Sequence, residues 1–247
     1  MRPYLADLHV HTVLSPCAEV EMIPPLIVRR ARELALGIIA ITDHNSAENV
    51  SAVIEAARDA ELTVLPGMEV QTREEVHLLC LFDTVEQVLD WQEVVYAHLP
   101  PLKNRAEVFG AQFVVDETGD FVRYNDRLLL TSASLSVEEV ASGVEARAGL
   151  CIPAHVDRPS FSLLANLGFV PQGASFAAME VTGHTSTREL RQRHPGLAEY
   201  SIIRSGDAHR LSEMRDSTVL TIEQPTIAEI LMAFQSQRGR KVKVLAE

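Results

Sequence analysis

The chain has 247 residues, 47% hydrophobic and 23% charged, which suits one sizeable globular domain and excludes a disordered, collagen-like or disulfide-stapled protein. Its 34 acidic and 22 basic residues give a net charge of −12, a surface that repels nucleic-acid backbone and anionic membrane unless the charge is locally inverted. No apolar run approaches the ~20 residues that cross a bilayer, no secretory signal is visible, and Cys17, Cys80 and Cys151 form no pairing pattern, so a reducing, cytoplasmic setting away from membranes is expected.

Residues 4–8 read as a strand. Over residues 24–36 a double proline suits a first helical turn, Ile27, Ala31 and Leu34 recur on one face, and Gly37 ends the helix. Residues 38–42 form a second strand, apolar as expected of a parallel strand buried on both faces. A helix over 46–60, with Ser46 and Asn49 near its start, precedes strands over 62–65 and 75–82. This alternation predicts an α/β fold with a parallel sheet. The middle breaks the rhythm with a helix over 85–97, the stiff stretch Leu99-Pro-Pro-Leu102, and a hairpin of residues 112–115 and 121–124 around Gly119. Alternation resumes with a helix over 137–147, strands over 151–155 and 178–181, a helix over 187–193 and a strand over 201–204. A helix over 226–237 and a strand over 241–245 follow. The expectation is one α/β barrel over 1–247, with a hairpin-bearing excursion over 83–136.

Six of the nine histidines, His9, His11, His44, His77, His155 and His209, sit in short polar clusters with apolar strands. Asp7, Asp43, Glu69, Asp157 and Asp207 accompany them. In an α/β barrel the loops at the C-terminal strand ends converge on one mouth. Neutral imidazoles and carboxylates gathered there are ligands for zinc, manganese or iron. In an extended segment His9 and His11 point to the same side and reach one ion together. Each cluster alone has an ordinary explanation, a satisfied polar group at a strand end; six together point to a multinuclear metal site. Three further residues are candidates for catalysis beside the metals. Arg158 offers a bidentate phosphate contact. Asp43, with Asp7, is a carboxylate suited to orienting the ligands. His184, in a Gly-His-Thr-Ser turn, is a candidate substrate contact. His98 and His194 read as residues at helix ends.

The set DLHVHT–LSPC, ITDHNS, GMEV with EVHLLCLF, IPAHVDRPS and SGDAH runs in order from Asp7 to His209. It resembles the PHP (polymerase and histidinol phosphatase) domain, in its stand-alone bacterial form. The resemblance implies a distorted (β/α)7 TIM-like barrel with two or three divalent metal ions, zinc, manganese or iron, at its C-terminal mouth. It implies that His9, His11, Glu69 and Asp207 hold one metal. Glu69 would bridge to a second, bound also by His77 and His155, and His44 and His209 would hold a third. Many members complete that third site with a further His or Asp; this chain has Cys17 there, with Glu19 and Glu21 nearby.

The implied activity is phosphoester hydrolysis. Two cations sharing a water lower its pKa and neutralise charge on the phosphoryl oxygens, so the site brings positive charge to an acidic protein. The expected substrate is a small phosphorylated molecule, a phosphomonoester, nucleotide or short oligonucleotide, and not long nucleic acid. Two alternatives stand beside this reading. One is a barrel amidohydrolase cleaving C–N bonds, though its frequent bridging lysine has no counterpart between Lys103 and Lys241. The other is a non-catalytic, metal-binding regulatory module. The excursion is expected to wall the pocket, with Lys103 or Arg105 available to a substrate anion.

Overall fold

The computed structural model describes residues 1–182 and 186–245. The first half contains β1 (Arg2–Val10), α1 (Pro24–Glu33), β2 (Ile38–Ile41), α2 (Val50–Ala56), β3 (Thr63–Gln71), β4 (His77–Leu81) and α3 (Val85–His98). A short α4 (Ala106–Phe109) and the hairpin β5 (Phe113–Val115) and β6 (Phe121–Tyr124) follow. The second half contains α5 (Val137–Glu145), β7 (Leu150–Pro153), α6 (Leu163–Asn166), β8 (Ala178–Val181), α7 (Thr187–Arg193), β9 (Ser201–Arg204), β10 (Thr218–Ile222), α8 (Ile227–Phe234) and β11 (Lys241–Val244). None of the described helices is long and apolar enough to cross a membrane.

Seven strands form one sheet in the order β11-β10-β1-β2-β3-β4-β7. Within it β1, β2 and β3 run parallel, whereas β4, β7, β10 and β11 each pair antiparallel to their neighbours. β8 and β9 form a separate parallel pair. β8 lies alongside β7, where the Val156 N–H donates to the Glu180 carbonyl, and β9 lies alongside β11. The curled sheet and this pair therefore enclose a half-barrel, a mixed α/β fold in which antiparallel neighbours stand where the expected distorted (β/α)7 barrel would have parallel ones. The departure has a local cause. β3 runs on to Gln71, well past the expected end at Leu65, and the chain reverses at once through Thr72–Glu75, with Glu75 at φ 58° and the Thr72 N–H bonded to the Val76 carbonyl. β4 therefore folds straight back on β3, with Gln71 opposite His77.

Two apolar layers hold the strands. The inner one takes alternate residues of the strands, such as Ala6, Leu8, Leu65, Leu79, Ile152 and Ala178, together with Ile230 and Phe234 of α8. The outer one takes the opposite faces, Ile39, Met68 and Cys80 among them, against Ile27, Val53, Trp91 and Val140 of the helices. Cys80 and Cys151, distant in sequence, are direct partners across β4 and β7, yet remain free thiols. α1 ends at Glu33, short of Gly37, and the left-handed residue after its C-cap is Ala35, at φ 53°; Gly37 is small because a Cβ would lie 2.9 Å from the Tyr4 ring.

The excursion is tied to the loops that follow β1 and β2. Asn45 Nδ2 donates to the carbonyls of Leu129 and Thr131, Asn49 Nδ2 to the Thr12 hydroxyl and the Phe113 carbonyl, and the Phe113 N–H to the Val13 carbonyl. Ser46 bonds to Gln92 and Tyr96 of α3. These duties keep Ser46 and Asn49 outside α2, which starts at Val50 and is shorter than expected.

Candidate metal centre

The donors converge because strand alternation carries them inward. Ala6 and Leu8 of β1 join the inner layer, but Val10 joins the outer one. The register against β2 slips between Asp7 and Val10, where a bulge reverses the alternation and turns His9 and His11 into the mouth. On β3, Glu69 follows Leu65 at the even spacing that keeps it inward, and His77 precedes Leu79 on β4 in the same way. His155 and Asp207, just beyond β7 and β9, take φ 32° and 46°, and Asn45, next to His44, takes φ 50°. A left-handed non-glycine residue costs about 1–3 kcal/mol, and such strain gathers at functional sites.

Glu69 sits at the centre, 1% exposed. Its Oε1 lies 2.8 Å from His77 Nδ1, 3.2 Å from His155 Nε2 and 3.3 Å from His9 Nε2. Its Oε2 lies 2.9 Å from His44 Nδ1 and 3.5 Å from His11 Nε2. Asp207 Oδ1 is 3.1 Å from His9 Nε2 and 3.2 Å from His11 Nε2. Three groups of donor atoms lie within 4.8 Å of one another: His9, His11, Glu69 and Asp207; His44, Glu69 and His77; and His11, His44 and His209. The first is the four-residue set implied by the resemblance. Burial would raise the Glu69 carboxyl, but His77, His9 and His44 hold it well below the usual carboxylate range. Asp207 is likewise held low, against its burial, by His9 and His11.

The surrounding residues fix which nitrogen faces the centre. Ser15 Oγ donates to Asp43 Oδ1 at 2.7 Å, so the Nδ1–H of His11 must donate to Ser15 Oγ, 2.9 Å away, and Nε2 keeps its lone pair toward Glu69 and Asp207. Asp43 also accepts from the Thr12 N–H and hydroxyl, reaches His11 through Ser15, and takes the Glu69 N–H on its backbone carbonyl. Glu180, which the sequence reading passed over, does for His9 what Ser15 does for His11. Its Oε2 is 2.9 Å from His9 Nδ1 and accepts the His155 N–H. The signal was present: an acid inside the apolar strand Ala178-Met-Glu-Val181. Asp7 accepts from the N–H groups of Gly206, Arg215 and His9, pinning the Asp207 loop to β1, and burial pushes its carboxyl up to about 7.

Imidazole and carboxylate donors of this kind fit zinc, manganese or iron. Although imidazole nitrogens stand close to Glu69 Oε2 and Asp207 Oδ1, neither these buried atoms nor His77 Nε2 and His155 Nδ1 form an aligned hydrogen bond among the described residues. Unpaired buried polar atoms are costly, and a cation at the first two would satisfy them.

Arg158 joins the cluster: its Nη1 is 2.5 Å from Asp207 Oδ2, and with His44, His77, Ser160 and Phe161 it lines a cavity of about 170 Å³ over the donors. Phe161 stacks on His77 at 5.0 Å between ring centroids. His184 lies outside the described residues. Lys103 and Arg105 are exposed and do not line this cavity, which draws no residue from 83–136, so the excursion braces the His11 and His44 loops and does not wall the cavity. Asp157 gives both oxygens to Thr182. Glu19 pairs with Arg210, and Glu21 accepts the Leu211 N–H, so both are engaged away from the histidines.

Cys17 stands where the third set of donors is open. Partial burial would raise its thiol, but hydrogen bonds to His209 and His44 bring it down to about 6. Iodoacetamide at neutral pH is therefore expected to modify one thiol quickly, while Cys80 and Cys151, buried between strands, react only on unfolding. Metal loading should suppress that reaction, and Cys17→Ser should lower the metal count by about one equivalent by elemental analysis. An unchanged count, with an alkylation rate unmoved by metal, would leave Cys17 a packing residue.

A half-barrel whose mouth gathers imidazoles and carboxylates around shared points defines an α/β protein built to hold metal ions. The family model described as PHP domain matches residues 7–164, and the chain belongs to that family. Over 84 residues it is 36% identical to the 5'-3' exoribonuclease Rnm of Salmonella typhimurium, a match covering 30% of this chain and 26% of that protein. The fold resembles that of the lesion-specific endonuclease PfuEndoQ from Pyrococcus furiosus, with a TM-score of 0.76 and 18% identity over 97% of this chain and 57% of that one. It also resembles a putative metal-dependent phosphoesterase from Bifidobacterium adolescentis, with a TM-score of 0.57 and 20% identity over 83% and 87% of the two chains. The chain thus spans about a quarter of Rnm and little more than half of the endonuclease. Both of those proteins act on nucleic acid by name, so the expectation against long nucleic acid, drawn from net charge, finds no support among the relatives.

Proposed function

We propose that the chain is a metal-dependent phosphoesterase acting on phosphate esters of nucleic acid. One observation carries the reading. Both oxygens of the buried Glu69 face imidazoles, Oε1 those of His77, His155 and His9, Oε2 those of His44 and His11, as in a carboxylate shared between cations. His9, His11, Glu69 and Asp207 would hold one ion, Glu69, His77 and His155 a second, and His44, His209 and Cys17 a third. When bound, such ions supply an acidified water and neutralise the charge that builds on the phosphoryl oxygens.

The chain's own residues do the rest. Glu180 and the Asp43–Ser15 pair hold His9 and His11 in the tautomer that turns Nε2 inward. Arg158, fixed by Asp207, presents its remaining N–H groups to the cavity, where a phosphate oxygen accepts them. Phe161 stacks on the His77 ring and limits its movement. A glutamate, not a lysine, holds the shared position, which favours this reading over C–N bond hydrolysis. The test is a panel of phosphomonoesters, bis(p-nitrophenyl) phosphate, oligonucleotides and amide substrates, with zinc, manganese or iron added. Turnover confined to phosphate esters supports the reading; turnover of amides alone, or of nothing, overturns it.

A further inference from the structure

Beside the metal cavity two further hollows adjoin one another through shared side chains, together outlining a groove. Arg158 lines both that cavity and a second hollow of about 260 Å³. Leu164, Arg193 and His194 line both the second hollow and a third of about 460 Å³. The two outer hollows are lined by residues of α6 and of the end of α7, and only the inner of them shares a residue, Arg158, with the metal cavity.

The lining inverts the charge of the molecule. In a chain with 34 acidic residues, the described lining of the two outer hollows holds two arginines, Arg158, which also pairs with Asp207, and Arg193, with the polar ring of His194, against one acid, Asp157, whose oxygens are already occupied by Thr182. Arg193 touches Glu189 through Nη2, a pair exposed on both sides and so weak, which leaves most of its donors free. The far hollow adds Tyr200 and Phe169, the latter 61% exposed. Cations at intervals along a groove track a phosphodiester backbone, and aromatic faces between them take unstacked bases. Hollows of this size accept nucleotides one at a time, whereas a duplex keeps its bases stacked inside a rigid rod.

We infer that this groove is the track for a single-stranded oligonucleotide running from the metal centre, with Arg193 and His194 on a backbone phosphate and Phe169 beneath a base. The inference rests on reading the centre as a phosphoesterase site, but its test does not depend on turnover. Fluorescein-labelled phosphorothioate DNA and RNA strands, which resist hydrolysis, are titrated into the metal-loaded protein and followed by anisotropy. Affinity is expected to rise with length from about two nucleotides and level off near the span of the groove, and the comparison of DNA with RNA identifies the preferred sugar. Arg193→Glu and Phe169→Ala, both at exposed positions, should each weaken binding of the longer strands about tenfold, and Arg193→Glu should reduce the salt slope by about one or more. Affinity independent of length, or unchanged in both variants, overturns the groove. Equal binding of a duplex of the same length overturns the single-strand assignment. Absence of hydrolysis of any ester by the loaded wild type would fell the phosphoesterase reading while leaving these titrations to decide the groove.

Discussion

Replacing Glu69 by Gln is expected to cost about three orders of magnitude in kcat/KM, the scale on which losing a preorganised charged group at a reacting centre acts. Gln keeps the shape and one carbonyl oxygen, but puts an NH₂ where Oε1 or Oε2 now faces imidazole nitrogens at 2.8–2.9 Å. Because both oxygens face donors of different groups, the substitution should release more than one metal equivalent, which elemental analysis reads independently of turnover. Replacing Asp207, which touches one group, should release fewer. A Glu69→Gln protein with full metal content and wild-type turnover would show that the carboxylate is not shared.

Chelation is expected to bring turnover to background while the protein stays folded. The two apolar layers hold the sheet without help from the donors, so circular dichroism should change little. The melting temperature should nevertheless fall. A ligand present at 100 times its Kd stabilises by about 2.7 kcal/mol, which for a chain of this size is about 5–10 °C. Adding back zinc, manganese or iron one at a time should restore both quantities, and the ion that restores both at the lowest concentration identifies the preferred one. Turnover that survives complete removal of metal would sink the proposed chemistry.

Much of the donor set was legible because it obeys two local rules. Polar residues directly after apolar strands mark a barrel mouth, and His9-Val-His11, Asp43-His44 and Asp207-Ala-His209 all stand there. Glu69 and His77 stood among the same candidate donors, but that they meet through one tight hairpin was not legible, since nothing in the residues between them signals a reversal. Thr72-Arg-Glu-Glu75 carries no Gly, Pro or Asn, and Glu75 takes the left-handed conformation instead. That reversal is why the expected parallel repeat gave way to antiparallel neighbours. The bulge in β1 was hidden for a different reason: it appears only against the register of β2. Glu180 was overlooked because a four-residue buried strand reads as core, and β10 because Thr218–Ile222 was passed over between clearer elements.

The β3–β4 hairpin also bears on when the chain acquires its donors. Glu69 and His77, eight residues apart, meet as soon as that hairpin closes, an event on the scale of about 1–10 microseconds. His9 and His11 gain Asp207 only after β10 has docked against β1, a contact that joins Asp7 to Arg215 across 208 residues. Such distant pairings form late, after the loop-closure cost of the intervening chain has been met. Glu69, His77 and His44 can therefore meet before the segment that carries Asp207 is in place. The four-residue group, drawn from both ends of the chain, is complete only in the finished fold, so any choice it made among competing ions would be made by the folded protein.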